Sequence, residues 1–286
     1  MKKSGYKFPF AKMHGTGNDF VVVEKTNLPR NANLSKLAFT VCDRKFGIGA
    51  DGLIVIASSK KATFKMIFFN PDGSQSDMCG NGLLCFGKYI YEHGLTLSDS
   101  MLVEIGDKLV PIILYPDDSG KISMVTVSMG RPDFNRKNIP VTGDGETALA
   151  ETIKLGDGSK FEFYAVSMGN PHAVIMVEDV GNFPVATIGP QIERHEIFPD
   201  RINVEFVEYI SPDMVKARIW ERGAGETLSC GSGVCAVSAV LRRIGLVKNS
   251  VKVQVAGGEL DVEFDTNDLV FLKGPAVEVF TGTFSL

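Results

Sequence analysis

The sequence predicts an α+β, or mixed α/β, fold of two pseudo-symmetric domains. Each would be a mostly antiparallel, barrel-like sheet around a central helix, with an active site in the interdomain cleft. Three observations predict this. Met78-Cys79-Gly80-Asn81-Gly82 and Ser229-Cys230-Gly231-Ser232-Gly233 repeat one phrase half a chain apart, each followed by an apolar run at 83–90 and 234–241. Sliding the chain against itself by 152 residues sets Gly17-Asn18 on Gly169-Asn170, residues 20–23 on 172–175, Asp51 on Asn203 and Asn70 on Arg222. Cys79 meets Cys230 one residue short of that offset, at 151. Finally, strand-like segments outnumber helical ones. The domain boundaries expected are 1–127 with 276–286, and 128–275.

Taken in order, residues 20–24, 53–57 and 64–69 are β-branched or aromatic segments bounded by Gly, Asn or Pro, and read as strands. Residues 34–46 read as a helix with Asn33 at its N-cap. A second helix spans 82–93 after the first cysteine and is closed by Gly94. From 101 to 127 the pattern is hairpin-like, turning at Pro116-Asp117-Asp118-Ser119-Gly120. Residues 128–160 are rich in Gly, Asp, Pro and Asn, and the crossover between domains falls near their start. The second half repeats the scheme: a strand at 173–177, a helix near 186–195, strands at 203–209 and 214–221, a helix at 231–244, then a final run of strands.

A chain of 286 residues with 44% hydrophobic residues and a net charge of −4 suits a globular protein with a sizeable core. There is no basic excess to attract nucleic acid, and no apolar run approaches the length of a membrane span. The first ten residues lack the apolar segment of a signal peptide, so a cytoplasmic location is expected. Five cysteines do not make a disulfide framework in a chain this long. Cys42, Cys85 and Cys235 lie in apolar surroundings and are assigned to the core.

Cys79 and Cys230 differ because each precedes Gly-x-Gly at a helix start. There the helix dipole and the unpaired N–H groups favour a thiolate. Two rival readings fail on spacing. Residues 82–88 superficially fit a phosphate-binding loop, but Tyr89 stands where the magnesium-holding hydroxyl belongs, and the interior is apolar. A four-cysteine zinc site would need pairs that converge, whereas cysteines five or six apart on a helix point to different sides. No metal is expected. The remaining reading takes one thiol from each half as the acid–base pair that inverts a carbon centre. Removing an α-proton from an amino acid leaves charge on its carboxylate, and two helix N-termini supply donors for it at Gly80-Asn81 and Gly231-Ser232.

These motifs run in the order of a known family. Residues 13–20 (Met-His-Gly-Thr-Gly-Asn-Asp-Phe), 47–52 (Gly-Ile-Gly-Ala-Asp-Gly), 69–74 (Phe-Asn-Pro-Asp-Gly-Ser) and 78–82 resemble diaminopimelate epimerase. So do Gly169-Asn170-Pro171-His172, residues 221–227 (Glu-Arg-Gly-Ala-Gly-Glu-Thr) and residues 230–233. The resemblance implies a metal-free epimerase that needs no pyridoxal phosphate or other cofactor. It would interconvert LL- and meso-diaminopimelate on the route to lysine and peptidoglycan, acting on a small-molecule substrate, and the expectation extends to a homodimer. It makes Cys79 and Cys230 the catalytic residues, and His172 and Glu221 the residues that tune the thiols. Substrate contacts would come from Asn18, Asn70, Gly80, Asn81, Asn170, Asn203, Glu221, Arg222, Gly231 and Ser232. Alone, Asn18 or Asn70 would read as a turn residue and Arg222 as a surface charge; the repeat and the resemblance together make them candidates. The chain departs from the family at Leu83-Leu84, where Ala-Arg is common, and at Gly52, where some members have glutamine. A related cofactor-independent racemase of another amino acid, such as histidine, is the alternative.

Overall fold

The computed structural model describes residues 6–286 and divides into two compact units. One runs to Val127 and takes up Gly274–Leu286; the other is Ser128–Lys273. In the first half the elements are β1 (Lys7–Gly15), β2 (Asn18–Glu24), α1 (Leu34–Cys42), β3 (Gly52–Ala57), β4 (Phe64–Phe69) and β5 (Gln75–Ser76). There follow α2 (Gly80–Glu92), β6 (Ser100–Ile105), β7 (Lys108–Pro116) and β8 (Ile122–Gly130). The second half has β9 (Glu151–Lys154), β10 (Lys160–Ser167), β11 (Pro171–Met176), α3 (Val185–Glu193), β12 (Asn203–Ser211) and β13 (Met214–Glu221). After it come β14 (Gly225–Thr227), α4 (Gly231–Arg243), β15 (Ser250–Val255), β16 (Gly258–Phe264), β17 (Val270–Gly274) and β18 (Val277–Ser285).

The two halves pair their strands by one scheme. In the first, β1 lies antiparallel to β2, β2 parallel to β3, β3 antiparallel to β4, and β4 holds β5 antiparallel and β6 parallel. A meander of β6, β7 and β8 follows. In the second, β10, β11, β12, β13, β14, β15, β16 and β17 repeat that order, with parallel pairing again at β11–β12 and β13–β15. The strand-around-helix architecture expected from the sequence is therefore present, but each sheet is open and mixed, without closing into a barrel. The first unit's sheet starts from β18, which pairs antiparallel with β1.

Register corrects the repeat. Phe20 pairs with Gly52 and His172 with Asn203, so the segment joining the parallel strands is one residue shorter in the second half. Likewise Leu53 pairs with Phe69 and Val204 with Trp220. From β3 onward the true offset is 151, the one the cysteines keep. Asn203 therefore matches Gly52, not Asp51, and Asn70 matches Glu221, not Arg222.

Helices cover both faces of the first sheet. Leu37, Ala38 and Val41 of α1 pack with Val21, Val23, Leu53 and Val55, while α2 lies against β1, β2, β3, β4 and β7. Strands buried on both sides need no polar face, which is why 20–23 and 53–56 are unbroken apolar runs. By contrast β7 alternates, with Val110, Ile112 and Leu114 inward and their neighbours in solvent. In the second unit Val185, Ile188 and Ile192 of α3 pack with Val204 and Phe206 of β12. α4 lies against β10, β11, β12, β13, β15 and β16. Leu83, Leu84, Phe86 and Ile90 of α2 are wholly buried, each contributing about 1.5–3 kcal/mol of transfer free energy. A charged side chain at position 84 would have no water to reach here.

Among the helix ends that differ from expectation, two have a visible cause. α1 stops at Cys42, not residue 46, because the Asp43 carboxylate accepts the N–H groups of Lys45 (2.7 Å) and Phe46 (2.8 Å) and turns the chain. α2 begins at Gly80, two residues earlier than expected, because Cys79 itself is the N-cap.

Candidate active site

In each unit a cysteine caps the buried helix. Cys79 Sγ accepts the Gly82 N–H at 3.3 Å, and the first intrahelical bond runs from Leu83 N to Cys79 O at 2.9 Å. At the second helix the corresponding bond is Val234 N to Cys230 O, 2.9 Å. The N–H groups of Gly80-Asn81 and Gly231-Ser232 thus precede the helical ladder, where the dipole is most positive. Cys230 Sγ lies 3.4 Å from Ser232 Oγ. Burial pushes the Cys230 thiol well above its ordinary value, and the nearby Glu221 carboxylate adds to this. Hydrogen bonds from Ser232 and from the Gly233 backbone work the other way at Cys230, as the Gly82 N–H contacts Cys79, but at Cys230 burial outweighs them. The core cysteines share the effect of burial. Cys85 and Cys235 are fully buried within their helices, and burial lifts Cys42 to about 12. Among the described residues, no three His, Cys, Asp or Glu side chains gather as a metal site. Nor is any helix among them long and apolar enough to cross a membrane.

In the first unit a charged cluster holds Asn18. Asn18 Nδ2 donates to Asp51 Oδ2 at 3.0 Å, and Asn18 Oδ1 faces Asn81 Nδ2 at 3.5 Å. Behind them, Asp19 accepts from Lys12 Nζ (2.5 Å) and from both terminal nitrogens of Arg44 (3.0 and 2.7 Å). Arg44 also reaches Asp51 at 2.7 Å. Asn70 is held within its own turn, its Nδ2 donating to Ser74 Oγ at 2.9 Å. At Gly52 a Cβ would lie 2.4 Å from Phe68 Cε2, so the Phe68 ring fills the space a glutamine would need.

Burial alone would raise the Asp19 carboxyl, but the hydrogen bonds from Arg44 and Lys12 outweigh it and hold the group far below the usual carboxylate range. A depressed folded-state pKa gives stability that is present above the unfolded value, about 3.9, and is lost as pH falls toward the folded value. Asp19→Asn should therefore cost about 2–3 kcal/mol at pH 7 and flatten the acid dependence of stability below pH ~4. Urea midpoints measured from pH 7 to pH 2 on both proteins check this; parallel curves would refute it.

In the second unit His172 is wholly buried, with Nδ1 2.6 Å from Glu205 Oε1 and Nε2 2.9 Å from Asn170 Oδ1. Asn203 donates to the Pro171 carbonyl at 2.8 Å and accepts the Arg222 N–H at 2.9 Å, so it joins the residue before His172 to the turn after β13. Arg222 Nη1 donates to the Asp200 carbonyl at 3.0 Å. Glu193, also buried, accepts from Trp220 Nε1 (2.8 Å) and Gly223 N (3.1 Å) and fixes the same turn. Glu221 accepts from Thr227 Oγ1 at 2.6 Å. The sequence reading missed Glu205, Glu193 and the Arg44–Asp19–Asp51 cluster. Glu205 did leave a signal: it interrupts the otherwise apolar run Val204-Glu205-Phe206-Val207, where an acid is buried only with a partner.

The family model described as "Diaminopimelate epimerase" matches residues 10–135 and 164–279, a span that includes every residue just described. The chain belongs to the diaminopimelate epimerase family. The diaminopimelate epimerase of Moorella thermoacetica is 44% identical over 279 residues, covering 97% of this chain and 99% of that protein. That of Methanococcus maripaludis is 41% identical over 280 residues, with the same coverage. Among solved structures, a hydroxyproline epimerase from Agrobacterium vitis superposes with a TM-score of 0.73 at 16% identity, covering 100% of this chain and 93% of its own. A PhzF-family phenazine biosynthesis protein from Bacillus anthracis gives 0.69, also at 16%, over 98% of this chain and 99% of its own. At those identities the family and these proteins share a fold, and the fold alone.

Proposed function

We propose that this chain interconverts LL- and meso-diaminopimelate, with Cys79 and Cys230 serving opposite faces of one α-carbon. What carries the reading is the pair of cysteines, each capping a buried helix at equivalent points of two matching strand ladders, within this family. In one direction Cys79 thiolate takes the α-proton and becomes a thiol. Cys230 thiol gives its proton to the other face and becomes a thiolate, so the enzyme finishes in the opposite protonation state and the reverse reaction restores it. Between these steps the substrate carboxylate carries the charge, and the N–H groups of Gly80-Asn81 and Gly231-Ser232 stabilise it. Burial, with the Glu221 carboxylate adding to it, raises the Cys230 thiol, which supports its role as the acid at rest.

Asn18, Asn70, Asn170, Asn203 and Arg222 are proposed to hold the substrate, and His172 to act through its neighbours on the second helix start. No added cofactor or metal enters the scheme. A cytoplasmic homodimer in lysine and peptidoglycan-precursor synthesis completes the proposal. The test is turnover of LL-diaminopimelate in D₂O. The product should carry deuterium at the inverted α-carbon while unreacted substrate stays unlabelled early on, because the returning proton comes from the second thiol. Equal early labelling of substrate and product would contradict two separate thiols. Preferential turnover of histidine would move the chain to the racemase alternative.

A further inference from the structure

We propose that Glu205 is a positioning residue that, through His172, fixes which end of the Asn170 amide faces the substrate. The inference rests on the reading of Asn170 as a substrate contact. Four observations within the second unit carry it. Glu205 and His172 are both wholly excluded from solvent. His172 lies between two oxygens, Glu205 Oε1 at 2.6 Å and Asn170 Oδ1 at 2.9 Å. Glu205 Oε2 is buried without a hydrogen-bond partner. Finally, a Cβ at Gly233 would sit 2.9 Å from Glu205 Oε1, so the carboxyl lies directly against the first turn of α4, three residues after Cys230.

The proton count follows. An amide oxygen only accepts, so His172 Nε2 must carry a hydrogen. The contact between Nδ1 and Oε1 needs one more proton, on either atom. A dry site with an unpaired carboxyl oxygen disfavours net charge, so the pair as a whole is neutral and shares that proton. With Nε2–H donating to Oδ1, the Asn170 Nδ2 group is turned the other way, as a pair of donors suited to a carboxylate. Without Glu205 the imidazole is free to adopt its other tautomer, and Asn170 is then free to rotate and present an acceptor instead.

Glu205→Leu should raise KM by about 10- to 100-fold, the effect of losing one hydrogen bond to a charged group, and change kcat far less. Glu205→Gln can donate to Nδ1 through its own amide and should keep KM within a few-fold of wild type. A purely structural role would not give this split and rescue. Nitrogen-15 NMR of the imidazoles, assigned with a His172 variant, should show His172 Nε2–H in the wild type and in Glu205→Gln. Wild-type KM in Glu205→Leu would overturn the proposal. So would an unprotonated Nε2 in the wild type, a result that does not depend on whether Glu205→Leu folds. If the wild type turns over no diaminopimelate, the substrate reading fails, and the NMR measurement still decides the relay.

Discussion

Replacing either Cys79 or Cys230 with alanine is expected to abolish epimerisation, lowering kcat by about 10³-fold or more, while leaving the fold intact. In the proposed mechanism each thiol does general acid or base work, which typically contributes 10²–10⁴ in rate, and neither could substitute for the other because each would serve one face. With one thiol left, a proton can be removed and returned only on the same side. Isotope exchange without inversion is then the most a single-cysteine variant can do. The structural costs differ between the two sites. Cys79→Ala removes the side chain that caps α2 through the Gly82 N–H, worth about 1 kcal/mol. Cys230→Ala removes a buried thiol whose neighbour is Ser232. Initial rates of LL-diaminopimelate inversion, with thermal melts alongside, check both. Near-wild-type turnover by either variant contradicts the mechanism.

Arg222→Met is expected to erase most of the preference for diaminopimelate over lysine. The two substrates differ by the distal carboxylate, and a guanidinium binds a carboxylate through two parallel N–H bonds. The turn carrying Arg222 is rigidly held: its N–H goes to Asn203, Gly223 N to Glu193, and Nη1 to the Asp200 carbonyl. Arg222 is exposed in the free protein; once bound substrate excludes water from the guanidinium, leaving its remaining donors without a carboxylate costs about 3 kcal/mol, so wild type should discriminate against lysine by about 100-fold. In the methionine variant kcat/KM for diaminopimelate should fall toward that for lysine, which itself should change little. Equal losses for both substrates would show that Arg222 supports the fold and does not read the distal end.

Much of this was legible in the sequence where chemistry and period coincide. The strand 64–69 and the strand 214–221 were read at their observed bounds because turns flank an apolar core pattern on both sides. Asn33 was read as an N-cap and does accept the Lys36 N–H at 3.0 Å. What escaped notice had weak local signals. β1 carries Lys7, Pro9 and Lys12 among its apolar residues; its Pro9 lies beyond the pairing with β2, which begins at Ala11, so its missing N–H costs that ladder nothing. β10 begins inside a stretch dominated by turn-forming residues. The offset of 152 fitted β2 against β11 and then failed, since a shorter connection through α3 cannot be seen without the registers. Glu205 stayed hidden because its partner, His172, lies on the neighbouring parallel strand and not nearby in sequence.

The pairing of β1 with β18 sets an order on synthesis. Lys7 lies opposite Ser285, and the rings of Phe8 and Phe10 pack on those of Phe284 and Phe280. The outer edge of β1 therefore has no partner until β18, which follows the whole second unit, has been translated, whereas residues 128–273 form a contiguous unit that can finish earlier. Non-local pairing of this kind is slow to form and leaves an edge open to wrong partners while it waits. Two lysines and a proline on β1 are the residues that discourage such edge-to-edge association. The features that made β1 hard to recognise as a strand are thus the ones that protect it while the ribosome is still at work.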